Sequence, residues 1–290
     1  MSSIWRPVRE RNPARSLMVV VAHPGDEAFG FGGAIAHAAE SGAYTVVVCA
    51  TRGAFDRRLL DPAPAPGGRN RSYQKPVVWR NLDTVREDEL RRSVGLLGVR
   101  VLRMLDYAEE GLAKVDFDEL VGRIVQPIRM HRPEVILTFG PDGVTGDPDH
   151  VVVGRATKLA FERAAEPLAY EDDLEEDQVA WRAAKLYQLV VPGSTLQALG
   201  DRAPESYGSP DGTDTLTLEL GDLAQVKLGA IRRHVSQTGS AGPFHDWRPE
   251  VRDAFLGTEH YRLAASNLPV AAGGSEPPRE SGLWDGLTQA

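Results

Sequence analysis

His23 and Asp26 stand three positions apart in the run Val20-Val21-Ala22-His23-Pro24-Gly25-Asp26-Glu27, directly after an apolar stretch. An imidazole and a carboxylate therefore leave the end of one predicted strand together. Far downstream, Gly146-Asp147-Pro148-Asp149-His150 follows a second apolar stretch in the same way and adds His150. Two histidines and one carboxylate with an open fourth position describe a catalytic zinc centre, although iron or cobalt also accepts such a set. The remaining histidines, His37, His131, His234, His245 and His260, lack this setting and read as structural or surface residues, with His234 the least settled.

The elements that must position these groups alternate. Residues 17–22 and 44–50 are short, valine-rich apolar runs, as fully buried strands require. Between them, residues 29–41 form an alanine-rich predicted helix that stops at Gly42. Further helices are predicted at 82–97, closed by Gly98, and at 117–131, ending before Arg132-Pro133, with strands at 100–105 and 135–139. A helix at 150–161 takes Asp149 as its N-cap, strands follow at 185–191 and 213–220, and a helix at 222–235. Strand, helix, strand in this order specifies an α/β fold: a Rossmann-like three-layer α/β/α sandwich with a mostly parallel sheet. Ligands of open parallel sheets bind where the strand order reverses, which brings the exits of the first and fourth strands, and so His23, Asp26 and His150, to one crevice.

A single domain over residues 1–290 is expected, with a Pro/Gly-rich variable loop at about 54–78 that could serve as a lid, an acidic insertion at about 165–180 and an irregular tail at about 271–290. Asp plus Glu outnumber Lys plus Arg by 41 to 33, which excludes a basic nucleic-acid footprint and favours a small-molecule substrate. The lone Cys49 lies in an apolar run, excluding a disulfide framework and cysteine-rich zinc motifs. No stretch approaches the roughly 18 apolar residues of a membrane span, and residues 1–15 lack a secretory core, so a cytoplasmic protein is expected. A homo-oligomer is compatible with this sequence. Gly30-Phe31-Gly32-Gly33 raises a nucleotide-binding oxidoreductase or methyltransferase as a rival, but Ile35 stands where the third glycine of G-x-G-x-x-G would fall.

These motifs resemble the LmbE-like or PIG-L family of zinc-dependent N-acetylglucosamine de-N-acetylases, over much of residues 17–156. The family's A-H-P-D-D-E motif places zinc ligands at His23 and Asp26, and its H-P-D-H motif places the third at His150. Weaker echoes are Thr51-Arg52-Gly53, the helix segment Arg86-Glu87-Asp88-Glu89-Leu90, Leu105-Asp106-Tyr107, and the set Lys227, His234, Ser236 and Gln237. The resemblance implies substrate contacts at Arg86 and at Glu109, where a sugar-contacting Asp usually stands; Arg86 also reads as a surface partner of Glu89.

The departures carry more information than the matches. Gly25 stands where the family has its general-base Asp, and Asp147 where it has the first His of H-P-D-H; Ala54 replaces a frequent Glu. Zinc alone can generate a hydroxide nucleophile near neutral pH, whereas a positioned acid or base typically adds about 10² to 10⁴ in rate. The expectation is a zinc-dependent hydrolase cleaving an N-acyl, foremost N-acetyl, amide on an amino sugar or sugar conjugate, with Asp147 as the substitute proton-transfer group and Glu27 and Asp142 as weaker substitutes. Asp149 would cap the helix or orient His150. The alternative is a catalytically impaired homologue that binds metal and sugar.

Overall fold

A computed structural model describes residues 15–53, 81–108, 111–170, 179–197, 208–238, 248–269 and 279–288. Its strands are β1 (Ser16–Val21), β2 (Tyr44–Thr51), β3 (Val101–Tyr107), β4 (Val135–Phe139), β5 (Lys185–Val190), β6 (Leu216–Glu219) and β7 (Thr258–Ser266). The principal helices are α1 (Asp26–Glu40), α2 (Leu82–Leu96), α3 (Phe117–His131), α4 (Pro148–Arg163), α5 (Leu223–Ile231) and α6 (Pro249–Gly257). One sheet runs in the order β3-β2-β1-β4-β5-β7-β6. The first five positions are parallel, and β7 is antiparallel to both β5 and β6.

Covering both faces explains the apolar strands. Helices α1, α2 and α5 pack together on one side and α3 with α4 on the other, so every residue from Met18 to Ala22 is fully buried. The Asp116 carboxylate caps α3 by accepting from the Asp118 and Glu119 amides. Strand order reverses between β1 and β4, whose pairing is Leu17 with Val135, Met18 with Ile136 and Val19 with Leu137. The chain leaving β1 and the chain leaving β4 therefore emerge side by side.

Three differences from the sequence reading follow from tertiary contacts. First, α1 begins at Asp26, placing the Gly30–Gly33 run inside the helix rather than in a phosphate-binding turn. There β7 reaches into the helix: Glu259 accepts from the Gly33 and Ala34 amides and the Tyr261 hydroxyl donates to the Gly30 carbonyl, while a Cβ at Gly30 or Gly33 would strike the Leu189 or Leu220 side chain. This packing role removes the basis for the nucleotide-binding reading. Second, α6 and β7 were not foreseen, because β7 buries Glu259 alongside Tyr261 and so lacks a clean apolar alternation. Third, residues 279–288 are irregular but packed: Leu283 is fully buried and Glu280 pairs with Lys185 at 2.6 Å. The loop at 54–78, Ala54, Glu109, His245, most of the acidic run and the rest of the tail lie outside the described residues.

Candidate metal centre

The turn out of β1 is built for its first two ligands. Gly25 has φ +111°, a conformation that side-chain-bearing L residues rarely adopt, and it swings the chain into α1 so that Asp26 opens the helix. The Asp26 Oδ2 accepts from the His23 amide at 2.7 Å, tying the two ligand-bearing residues together. Asp26 also stands in the first turn, where the helix dipole favours negative charge.

The β4 exit delivers the third. Asp147 caps α4, its Oδ1 accepting from the Asp149 and His150 amides, and Pro148 occupies the first helical position. This corrects the expected cap, since the helix starts at Pro148 and Asp149 lies within it. The His150 ring stacks on Phe139, with centroids 4.0 Å apart and planes at 4°, and its Nδ1 bonds the Gly143 carbonyl at 3.1 Å. Nε2 is thereby turned toward Asp26.

The donor atoms of His23, Asp26 and His150 all lie within 4.8 Å of one another. His150 Nε2 is 3.4 Å and His23 Nδ1 3.6 Å from Asp26 Oδ2. Bonds of about 2.0 to 2.1 Å in a tetrahedron separate zinc ligands by about 3.3 Å, so both the donor set and its spacing suit that ion. Burial opposes the Asp26 charge, but His150 and His23 outweigh it and hold its carboxyl well below the usual carboxylate range. Burial would likewise lower the His150 pKa, and the Asp26 carboxylate reverses the sign and raises it.

A surrounding layer fixes these ligands. Asp149, only 3% exposed, places its Oδ2 3.3 Å from His23 Nε2, so it orients His23 and not His150. Arg86 is also 3% exposed and donates to the Pro24 carbonyl at 3.1 Å and the Gly53 carbonyl at 2.9 Å, holding the His23–Asp26 turn against the end of β2. Arg86 and Glu89 are both buried, so neither sits on the helix surface, and the Glu89 carboxylate accepts from the Ser236 amide and hydroxyl. Glu27 is fully buried and accepts from the Gly25 amide at 2.8 Å, the Ser93 hydroxyl at 2.6 Å and His234 Nε2 at 2.7 Å. That arrangement makes it a clasp between α1, α2 and the segment after α5, rather than a substitute base. Asp142 is similarly committed, to the Val144 amide and the Ser209 hydroxyl.

One member of the weak Lys227, His234, Ser236 and Gln237 echo lies near the centre. A Cβ at Gly25 would collide with the Gln237 carboxamide oxygen, and that oxygen is buried with no hydrogen-bond partner among the described residues. The sequence offered Gln237 only as part of that echo, and proximity alone connects it to Gly25.

Residues 18–161 match the family model described as GlcNAc-PI de-N-acetylase, PIG-L. A 1D-myo-inositol 2-acetamido-2-deoxy-alpha-D-glucopyranoside deacetylase of Geodermatophilus obscurus is 30% identical, over 90% of this chain and 96% of the relative. The chain belongs to the PIG-L family. A second such deacetylase, from Saccharopolyspora erythraea, is 31% identical over 88% of this chain and 95% of its own length. Among solved structures, the N,N'-diacetylchitobiose deacetylase of Pyrococcus horikoshii superposes with a TM-score of 0.63 at 19% identity, covering 88% of this chain and 87% of that one, which shows the shared fold. As a PIG-L member the chain is an amide hydrolase of the deacetylase type, and its three-residue cluster is a possible metal site of the kind a metal-dependent family needs. No helix among the described residues is long and apolar enough to cross a membrane.

Proposed function

We propose that the protein is a zinc-dependent hydrolase that removes the N-acyl group from an amino sugar or sugar conjugate, with His23, Asp26 and His150 holding the ion. The observation that carries this reading is the convergence of those three donor sets at the β1–β4 switch point. Zinc in such a set supplies Lewis acidity toward a carbonyl and ionises water near neutral pH. The protein's part is orientation: Asp149 fixes the His23 ring, the Gly143 carbonyl and Phe139 fix His150, and the His23 amide fixes Asp26. Asp147 serves proton transfer through Oδ2, since Oδ1 is committed to the helix cap. Arg86 acts as a positioning residue for the ligand turn, and Glu109 keeps a sugar contact on the strength of the family resemblance. A cytoplasmic location belongs to the same reading, supported by a buried, unpaired Cys49.

Metal analysis of the freshly purified protein beside its His150→Ala variant tests the proposal. The expected result is stoichiometric metal in the parent, its loss in the variant, and amine release from N-acylated glucosamine conjugates by the parent alone; parent protein without stoichiometric metal sinks the reading. Gly25 and the Gln237 oxygen set against it favour a second reading, an impaired homologue that binds metal and sugar. If the zinc-loaded parent hydrolyses no N-acyl sugar while the combined Gly25→Asp/Gln237→Gly variant does, that second reading stands.

A further inference from the structure

A cavity of about 250 Å³ opens from the metal centre into the protein. Asp26 and His150 form part of its lining, and behind them the wall supplied by the described residues is overwhelmingly apolar, built from Phe29, Phe139, Leu189, Val191, Ala254 and Phe255 among others. The polar residues of the lining are largely spoken for. Lys227 Nζ pairs with Glu259 Oε1 at 2.9 Å, the Glu259 carboxylate also accepts from the Gly33 and Ala34 amides and the Tyr261 hydroxyl, and His260 Nδ1 meets Thr217 and Asp214. What they present to the space is mainly their carbon stems.

Such a wall, among the described residues, offers a sugar few partners. Each hydroxyl taken from water into it without a partner would cost about 1–3 kcal/mol, and a hexose brings several. It suits the other side of the scissile amide. An acetyl methyl would leave nearly all of the space empty, whereas an apolar cavity of about 150 Å³ accommodates benzene, which scales to about six to ten carbon atoms here. We propose that this cavity is an acyl subsite, and that the preferred substrate carries a medium-chain acyl group of about six or more carbons on its amide nitrogen instead of acetyl. The inference rests on the amidase reading above and names its substrate class.

The test is an N-acyl series on glucosamine, from acetyl through butanoyl and hexanoyl to octanoyl, assayed as amine release by the zinc-loaded protein. The same protein is titrated calorimetrically with acetate and with hexanoate. Each added methylene is expected to raise kcat/KM about 3- to 4-fold as far as hexanoyl, and hexanoate to bind at least tenfold tighter than acetate. Val191→Trp and Ala254→Trp, which fill the cavity, are expected to shift the hexanoyl-to-acetyl ratio at least tenfold toward acetyl. A flat or falling series with acetyl preferred overturns the subsite. So does a gain seen with an octyl glycoside of N-acetylglucosamine but not with N-octanoylglucosamine, which would assign the cavity to the amine side. If no acyl sugar is hydrolysed but hexanoate still binds tightly and Val191→Trp abolishes that binding, the amidase reading fails while the apolar acid site stands; weak hexanoate binding removes the site itself.

Discussion

Putting the missing carboxylate back at position 25 is expected to weaken the protein before it can help the chemistry. In Gly25→Asp two penalties compete. The new Cβ strikes the Gln237 carboxamide oxygen, with Cδ and Nε2 at 3.2 and 3.3 Å, but this is the free end of a flexible side chain that can turn away for about 0.5–1.5 kcal/mol. The backbone has no such escape. Its φ of +111° is locked between a Gly25 amide bonded to Glu27 and a helix that begins at Asp26, and a side chain held there costs about 1–3 kcal/mol. Backbone strain is therefore the larger share. At about 2–4 °C per kcal/mol for a chain of this order, the two penalties together should lower the Tm of Gly25→Asp by about 3–18 °C. Gly25→Ala should lower it nearly as much, because the strain does not depend on the carboxylate. Gln237→Gly in the Gly25→Asp background should recover only the smaller, steric share. Thermal unfolding of these proteins with zinc bound decides the matter. A Gly25→Asp protein as stable as its parent, or full rescue by Gln237→Gly, would refute the ordering of the two penalties and the claim that the turn requires glycine.

Three further outcomes follow from the layer around the ligands. Asp149→Asn should weaken zinc affinity about 10- to 100-fold in competition titrations with little change in Tm of the metal-free protein, because its carboxylate orients His23; unchanged affinity would remove it from that role. Arg86→Ala should destabilise by about 2–4 kcal/mol in chemical denaturation, as two main-chain carbonyls lose a charged donor, whereas a purely substrate-contacting arginine would raise KM and leave stability alone. For His234, burial lowers the pKa but Glu27 and then Glu89 outweigh it, so the folded value lies above the ordinary histidine value of 6.5. That stabilisation is fully present below 6.5 and is lost as pH rises through the higher folded pKa. Denaturation curves over about pH 6 to 9 should show the loss in the parent and its absence in Glu27→Gln; parallel pH profiles would contradict the clasp.

The candidate ligand set was legible because strand periodicity announces where chains exit a sheet, and His23, Asp26 and His150 sit at two such exits. Helix α3 and strand β4 were legible to the residue, since Arg132-Pro133 and a largely apolar five-residue run mark limits locally, and the structure adds the Asp116 cap at the helix start. Strand β7 was not, because its buried face is Glu259 and Tyr261, which the α1 amides, the Gly30 carbonyl and Lys227 together make acceptable in the interior. Asp147 and Asp149 were both visible as short acidic residues before a helix, but nothing local distinguishes a cap from an orienting carboxylate one turn further on.

By itself, then, the amino-acid order determined the layered α/β architecture, the three candidate ligands and the absence of a carboxylate at Gly25, all of which depend on residue type, periodicity and spacing along the chain. Tertiary structure alone decided that Arg86 and Glu27 hold the ligand turn together, that Asp149 serves His23, that Gln237 lies against Gly25, and that an apolar cavity backs the metal centre. Those assignments depend on which groups meet across long sequence separations. A buried charge or amide takes its role from the partner that compensates its lost hydration, and the chain supplies that partner only when it folds.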